Sequence, residues 1–166
     1  MHIPLAPAWA VCQGPQRRSA PGALLPERVM NPRDMAEVIK PKGWPTPPGY
    51  ANGILAAGKL LAIGGQVGGR PPGMTLVRGL VAQFAQALDN VVAVVRAAGG
   101  GPGDIVSLTI FVTDLAEYLA AAQEIRTAWR KRMGKHYPAM ALVEVKALLD
   151  AEAAVEIQGL AMIPPT

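Results

Sequence analysis

Few residues in this chain have the type and setting for chemistry. Glu156 stands between Val155 and Ile157 in a strand-like run, and strand alternation sends its carboxylate to the side opposite those apolar neighbours. On that pattern alone it reads as a solvated, outward glutamate. Tyr50 follows Pro47-Pro48-Gly49 and offers a phenol, either as a packing lid over a sheet edge or as cleft lining. Gly64-Gly65-Gln66-Val67-Gly68-Gly69 closes another apolar run. Glycines there let a ligand or another backbone approach closely, or simply bend and end the strand. His136, two residues before Pro138, reads as a partly exposed histidine between a helix and a strand.

Several chemistries are disfavoured. The two histidines are far apart and lack cysteine or carboxylate partners at ligand spacing, so no metal site is expected. Gly99-Gly100-Gly101-Pro102-Gly103 follows a helical stretch instead of opening one, and no Lys-Ser/Thr comes after it, which removes the phosphate-loop reading. The one cysteine, Cys12, excludes an intramolecular disulfide and has no basic surroundings to activate its thiol. No cofactor is implied.

The elements that must position these residues are legible from composition and periodicity. At 166 residues the chain fits one domain. Residues 1–34 are proline-rich and read as a disordered or loosely attached extension, with Met30 and Met35 as alternative starts, leaving 35–166 as the domain. Pro4 and Pro7 interrupt the apolar stretch a signal peptide would need, so a cytoplasmic, soluble protein is expected. No apolar run long enough for a membrane span is expected either. The net charge of +4 is too small and too scattered to mark a nucleic-acid surface.

Ala51–Ala56 and Leu60–Val67 read as strands joined in a hairpin at Ala57-Gly58-Lys59. Val77, Val81, Phe84, Leu88, Val91 and Val95 form the stripe of a first helix, stopped by Gly99. Ile105–Thr113 reads as a strand, and Asp114-Leu115-Ala116-Glu117 as a capping box opening a second helix with Leu115, Leu119, Ala122, Ile125, Trp129 and Met133 as its stripe. Ala139–Ala147 and Ala153–Met162 close the chain as a strand pair. The order β-β-(β)-α-β-α-β-β suggests an α+β layer, one mixed sheet covered on one face by two helices. Met140 and Leu142 are then expected on the uncovered face, where self-association would bury them; periodicity does not choose between dimer and trimer.

An ordered set of fragments resembles the RidA (YjgF) family. Pro48-Gly49-Tyr50, Gly65-Gln66-Val67, Gln83 with Leu88-Asp89-Asn90, Ala98-Gly99, Phe111-Val112-Thr113-Asp114, Pro138-Ala139 and Val155-Glu156-Ile157 fall in that family's order. The resemblance implies a chorismate-mutase-like fold, a homotrimer with clefts between subunits, and hydrolysis of small enamines and imines to carbonyl compounds and ammonia. It further implies a cleft lined by Tyr50, Gly64 and Gly65, with Glu156 positioning or activating water. In that family the strand opens Pro-Ala-Arg and the arginine grips a carboxylate. Here the third position is Met140, a thioether with no charge and at most a weak acceptor. Arg70 and His136 are the cations best placed in sequence to stand in, since Lys146 is six residues, about 20 Å, along the strand. His136 and Leu142 are therefore included with Met140, Tyr50, Gly64 and Gly65 as ligand-binding candidates. The resemblance with this departure implies a deaminase of altered substrate choice, or alternatively a non-catalytic metabolite-binding or regulatory trimer.

Overall fold

The structure is a computed structural model that describes residues 36–165. The expected extension over 1–34, with Cys12, lies outside the described residues.

The element order is β1 (Ala36–Ile39), β2 (Gly53–Ala56), β3 (Lys59–Val67), β4 (Gly69–Arg70), β5 (Thr75–Leu76), α1 (Leu80–Ala97), β6 (Ile105–Val112), α2 (Leu115–Ala120), α3 (Ala122–Met133), β7 (Ala139–Glu144) and β8 (Val155–Ile163). The main sheet has four strands in the order β3-β8-β6-β7, with β1-β2 and β4-β5 as separate two-stranded ribbons. β8 is antiparallel to both neighbours, whereas β7 runs parallel to β6, so the sheet is mixed.

Both expected terminal hairpins are absent. β2 pairs with β1, a strand hidden from sequence reading in a proline-rich stretch, while β3 pairs with β8. β7 and β8, neighbours in sequence, flank β6 instead of each other. The parallel β6–β7 pair requires a crossover, which α2 and α3 supply. The expected second helix breaks at Ala121 (φ −92°, ψ 16°), and no proline or glycine marks the break. The strand ends also move, to Glu144 in β7 and to Val155 and Ile163 in β8.

Among the described residues, one sheet face is covered and one is bare. Ile105, Leu108, Ile110 and Val112 of β6, and Val155, Ile157, Ala161 and Ile163 of β8, bury against α1 and α3. α1 presents Phe84, Leu88, Val91 and Val95, all fully buried, and α3 presents Ile125, Trp129 and Met133. Completely burying one such side chain stabilises by about 1.5–3 kcal/mol. α1 is long and apolar enough to cross a membrane by length and composition, contrary to expectation, but its stripe is the core of this sheet. It ends in a Schellman turn: Gly99 takes φ +89°, its N–H donates to Arg96 O, and Gly100 N–H donates to Val95 O. Asp114 caps α2 by accepting from Glu117 N–H, while Glu144 of β7 accepts from Leu115 N–H.

Two buried polar side chains tie α1 to the rest. Asn90 donates to Val67 O (3.1 Å) and Gly69 O (2.8 Å), and accepts from Gln86. Gln83 donates to Glu152 O and accepts from Ala154 N–H. These bonds fix the end of β3 and the entry to β8. We expect Asn90→Leu, which strands those carbonyls in an apolar setting, to lower unfolding stability by about 1–3 kcal/mol, read by urea denaturation at matched protein concentration.

Candidate functional site

Strand alternation divides the expected site residues between the two faces of the sheet. β7 is in parallel register with β6, Leu108 opposite Met140 and Ile110 opposite Leu142, so Met140 and Leu142 share the side of the buried Leu108 and Ile110. This corrects the expectation that they lie on the uncovered face. Met140 is half-buried against the core, and Leu142 is partly exposed at the sheet edge. The bare face instead carries Ala141 and Val143 of β7, Phe111 of β6, and Glu156, Gln158 and Leu160 of β8.

On the helix side Met140 opens into a cavity of about 560 Å³. Its walls are apolar and aromatic: Ile110, Tyr118, Ile125, Trp129 and Tyr137. Trp129 and Tyr137 stack with ring centres 5.7 Å apart and planes 7° from parallel, and Tyr118 meets Phe84 edge-on at 6.0 Å. Burial pushes the Tyr118 phenol above its ordinary pKa. Pro48 and Gly49 line the mouth, as do Arg126 and Arg130 of α3.

The loop carrying Tyr137 is held through His136. Trp129 Nε1 donates to His136 O at 3.1 Å, and His136 Nε2 lies 2.7 Å from Ile105 O. The His136 ring is thus engaged with the backbone at the start of β6, and it lines neither this cavity nor the groove beside Tyr50. Arg70, exposed in β4, lines neither as well.

On the bare face, Tyr50 borders a groove of about 270 Å³ with Asn52, Ser107, Thr109, Ala139, Ala141 and, at its floor from the other side of the alternation, Met140. Ala51 bridges Ala139 and its N–H donates to Pro138 O (3.0 Å), so segment 48–52 crosses the sheet edge and borders both cavities. Glu156 lies on this face two residues along β8 from Gln158, the register partner of Thr109, about 7 Å from that groove along the strand. Its carboxylate lies directly over Gly65, filling the volume that a Cβ there would occupy. Gly64 and Gly65 form a bulge, since Ile63 pairs with Gly159 while Gln66 pairs with Ile157. A Cβ added at Gly64 would meet nothing within 4 Å. The structure therefore brings Glu156 and Gly65 together, sets Tyr50 on the same face, and places Met140 on the other.

Sequence reading missed Tyr118, Tyr137, Arg126 and Arg130 as cavity lining. The available signal was the i, i+4 spacing of the arginines beside the Ile125–Trp129 stripe.

A mixed sheet with helices on one face and a bare opposite face is the α+β, chorismate-mutase-like architecture. The YyfB protein of Yersinia pestis, described as a protein of unknown function of the conserved Rid family, superposes with a TM-score of 0.68 at 29% identity, covering 78% of this chain and 99% of that one. The YjgF gene product of Escherichia coli superposes with a TM-score of 0.57 at 32% identity, over 68% and 87% of the two chains. The family described as Endoribonuclease L-PSP matches residues 45–163. A RutC family protein of Haemophilus influenzae is 30% identical over 128 residues, 77% of this chain and 98% of its own. The 2-iminobutanoate/2-iminopropanoate deaminase of Escherichia coli K12 is 34% identical over 113 residues, 68% and 86% of the two chains. The chain belongs to the RidA (YjgF) family.

Gly65→Ala is expected to drive the Glu156 side chain to another rotamer at small cost, because its flexible end is what must move. Gly64→Ser should leave it in place. Crystal structures of both variants, with thermal melts shifted by under about 4 °C, would show this contrast.

Proposed function

We propose that the protein is a RidA-type hydrolase of reactive enamines and imines whose substrate is apolar where relatives with an arginine present a carboxylate. The observation that carries this reading is the Glu156 carboxylate, seated over the Gly64–Gly65 bulge on a bare sheet face. It stands in a chain 34% identical to an iminobutanoate/iminopropanoate deaminase. In the reaction Glu156 accepts a proton from water as its oxygen adds to the C=N carbon. With the C=N nitrogen protonated at the outset, addition gives a neutral carbinolamine whose nitrogen takes the proton back from Glu156; the hydroxyl then gives its own proton to the Glu156 carboxylate as the C–N bond breaks, releasing ammonia and a carbonyl product. Tyr50 and backbone groups beside Gly65 position the substrate, and Met140 forms an apolar wall.

Strand alternation sends the Met140 side chain and the Glu156 carboxylate to opposite sheet faces, so within one protomer they do not face each other, although Met140 also borders the groove beside Tyr50. Closing the bare face of one protomer over the β7 edge of another supplies both, which favours the homotrimer with clefts between subunits. Exposed Leu60, Val143 and Leu160 on that face have the apolar character such an interface needs. Light scattering should report a trimer at micromolar concentration; a lone subunit would remove the shared cleft.

Ammonia release from 2-aminoacrylate and from larger enamines generated in situ tests the chemistry. We expect turnover of the larger ones, with Glu156→Ala slower by about 10²-fold or more. Met140→Arg should raise turnover of 2-iminopropanoate about ten- to hundredfold by restoring a charge-assisted pair. Absence of activity on every enamine sinks the hydrolase. The uncharged side chain at Met140 also favours a second reading, a trimer that binds a metabolite without turnover, and a folded, silent Met140→Arg variant would support that one.

A further inference from the structure

The cavity beside Met140 has its own cations. Arg126 and Arg130 stand one turn apart on α3, both exposed at the cavity mouth. Neither guanidinium has a hydrogen-bond or ion-pair partner among the described residues, whereas Arg132 on the same helix holds Asp89 through two bonds of 2.8 and 2.7 Å. Among the described residues, no acidic one lines the cavity. An apolar chamber with two unpaired guanidiniums at its opening is complementary to an amphiphilic anion, its body among the rings and its charge at the mouth.

We propose that Arg126 and Arg130 bind the carboxylate of an aromatic or large apolar organic acid whose body packs on Trp129, Tyr118 and Met140. This deepens the hydrolase reading and, as to turnover, rests on it. The substrates would be imines of aromatic 2-oxo acids, anchored by α3 instead of by strand position 140. A short 2-imino acid such as 2-iminopropanoate lacks the body to fill the chamber and reach the arginines together. Planar guanidiniums suit this task because each can grip a carboxylate with two parallel hydrogen bonds.

Isothermal titration of the full chain with phenylpyruvate, the 2-oxo acid that hydrolysis of phenylalanine-derived imine would yield, tests the site without requiring turnover. We expect phenylpyruvate to bind about tenfold or more tightly than pyruvate and than neutral phenylacetone. The double variant Arg126→Gln/Arg130→Gln should lose about tenfold in phenylpyruvate affinity while phenylacetone binding stays within twofold. Arg126→Lys/Arg130→Lys should recover part of the loss, since the charge persists and only the fork is gone. Equal affinity for phenylpyruvate and phenylacetone, or an unchanged glutamine double variant, overturns the proposal. If the wild type hydrolyses the phenylalanine-derived imine, KM for it should rise in the glutamine variant with kcat nearly constant. An inactive wild type that still binds phenylpyruvate through these arginines refutes the hydrolase and leaves this site standing.

Discussion

A strand sends successive side chains to opposite faces, and in this protein the two faces have different fates. α1 and α3 cover one side, so the even-numbered residues of β6 from Leu108 to Val112 and Val155, Ile157, Ala161 and Ile163 of β8 belong to the core. The parallel register of β7 then assigns Met140 to the covered side, and the antiparallel register of β8 assigns Glu156 to the bare one. A slip of one residue in either strand would exchange these assignments and turn the core of that strand outward. The arrangement of chemical groups is thus a consequence of the same registry that holds the domain together.

The bare face is organised by contacts made on the covered one. Asn90 sits in α1, but its amide clamps Val67 O and Gly69 O just past the Gly64–Gly65 bulge, and Gln83 of the same helix holds the turn that launches Val155 and Glu156. Both ends of the Glu156–Gly65 contact are therefore anchored to one helix. Gly68 completes the junction, since a Cβ there would overlap the backbone of Gln83. Buried amides are well suited to the task because their bonds are directional and leaving them unmade is costly.

The helices were readable because their stripes are long. Phe84, Leu88, Val91 and Val95, and then Ile125, Trp129 and Met133, are buried where period 3.6 puts them. Strand existence was readable for the same kind of reason, in Ile105–Val112 and Val155–Ile163. Strand partners were not. Local pattern favours pairing neighbours, while β8 pairs with β3, whose paired residues lie about ninety to a hundred positions earlier, and that choice depends on a crossover that no short window contains. The face assignment of Met140 failed with it: alternation separates 140 from 141, but only the register with β6 says which of them meets the helices. Of the site, the proximity of Glu156 to Gly65 follows the family order of motifs, and the aromatic chamber was hidden because its walls come from β6, α2, α3 and the loop before β7.

That chamber gives the methionine a physical context that comparison of one strand position cannot. Beside Trp129 and Tyr137, Met140 completes an apolar surface, and a thioether suits aromatic neighbours through its flexibility and polarisability. A guanidinium at the same position would enter a chamber already bearing two cations and, among the described residues, no acid, and without an anion its desolvation would be uncompensated. Charge at α3 and charge at position 140 are in this sense alternatives. The helix position leaves the guanidiniums hydrated until a ligand arrives, so the empty site carries no buried charge, and the chamber remains wide enough for a body larger than a propanoate.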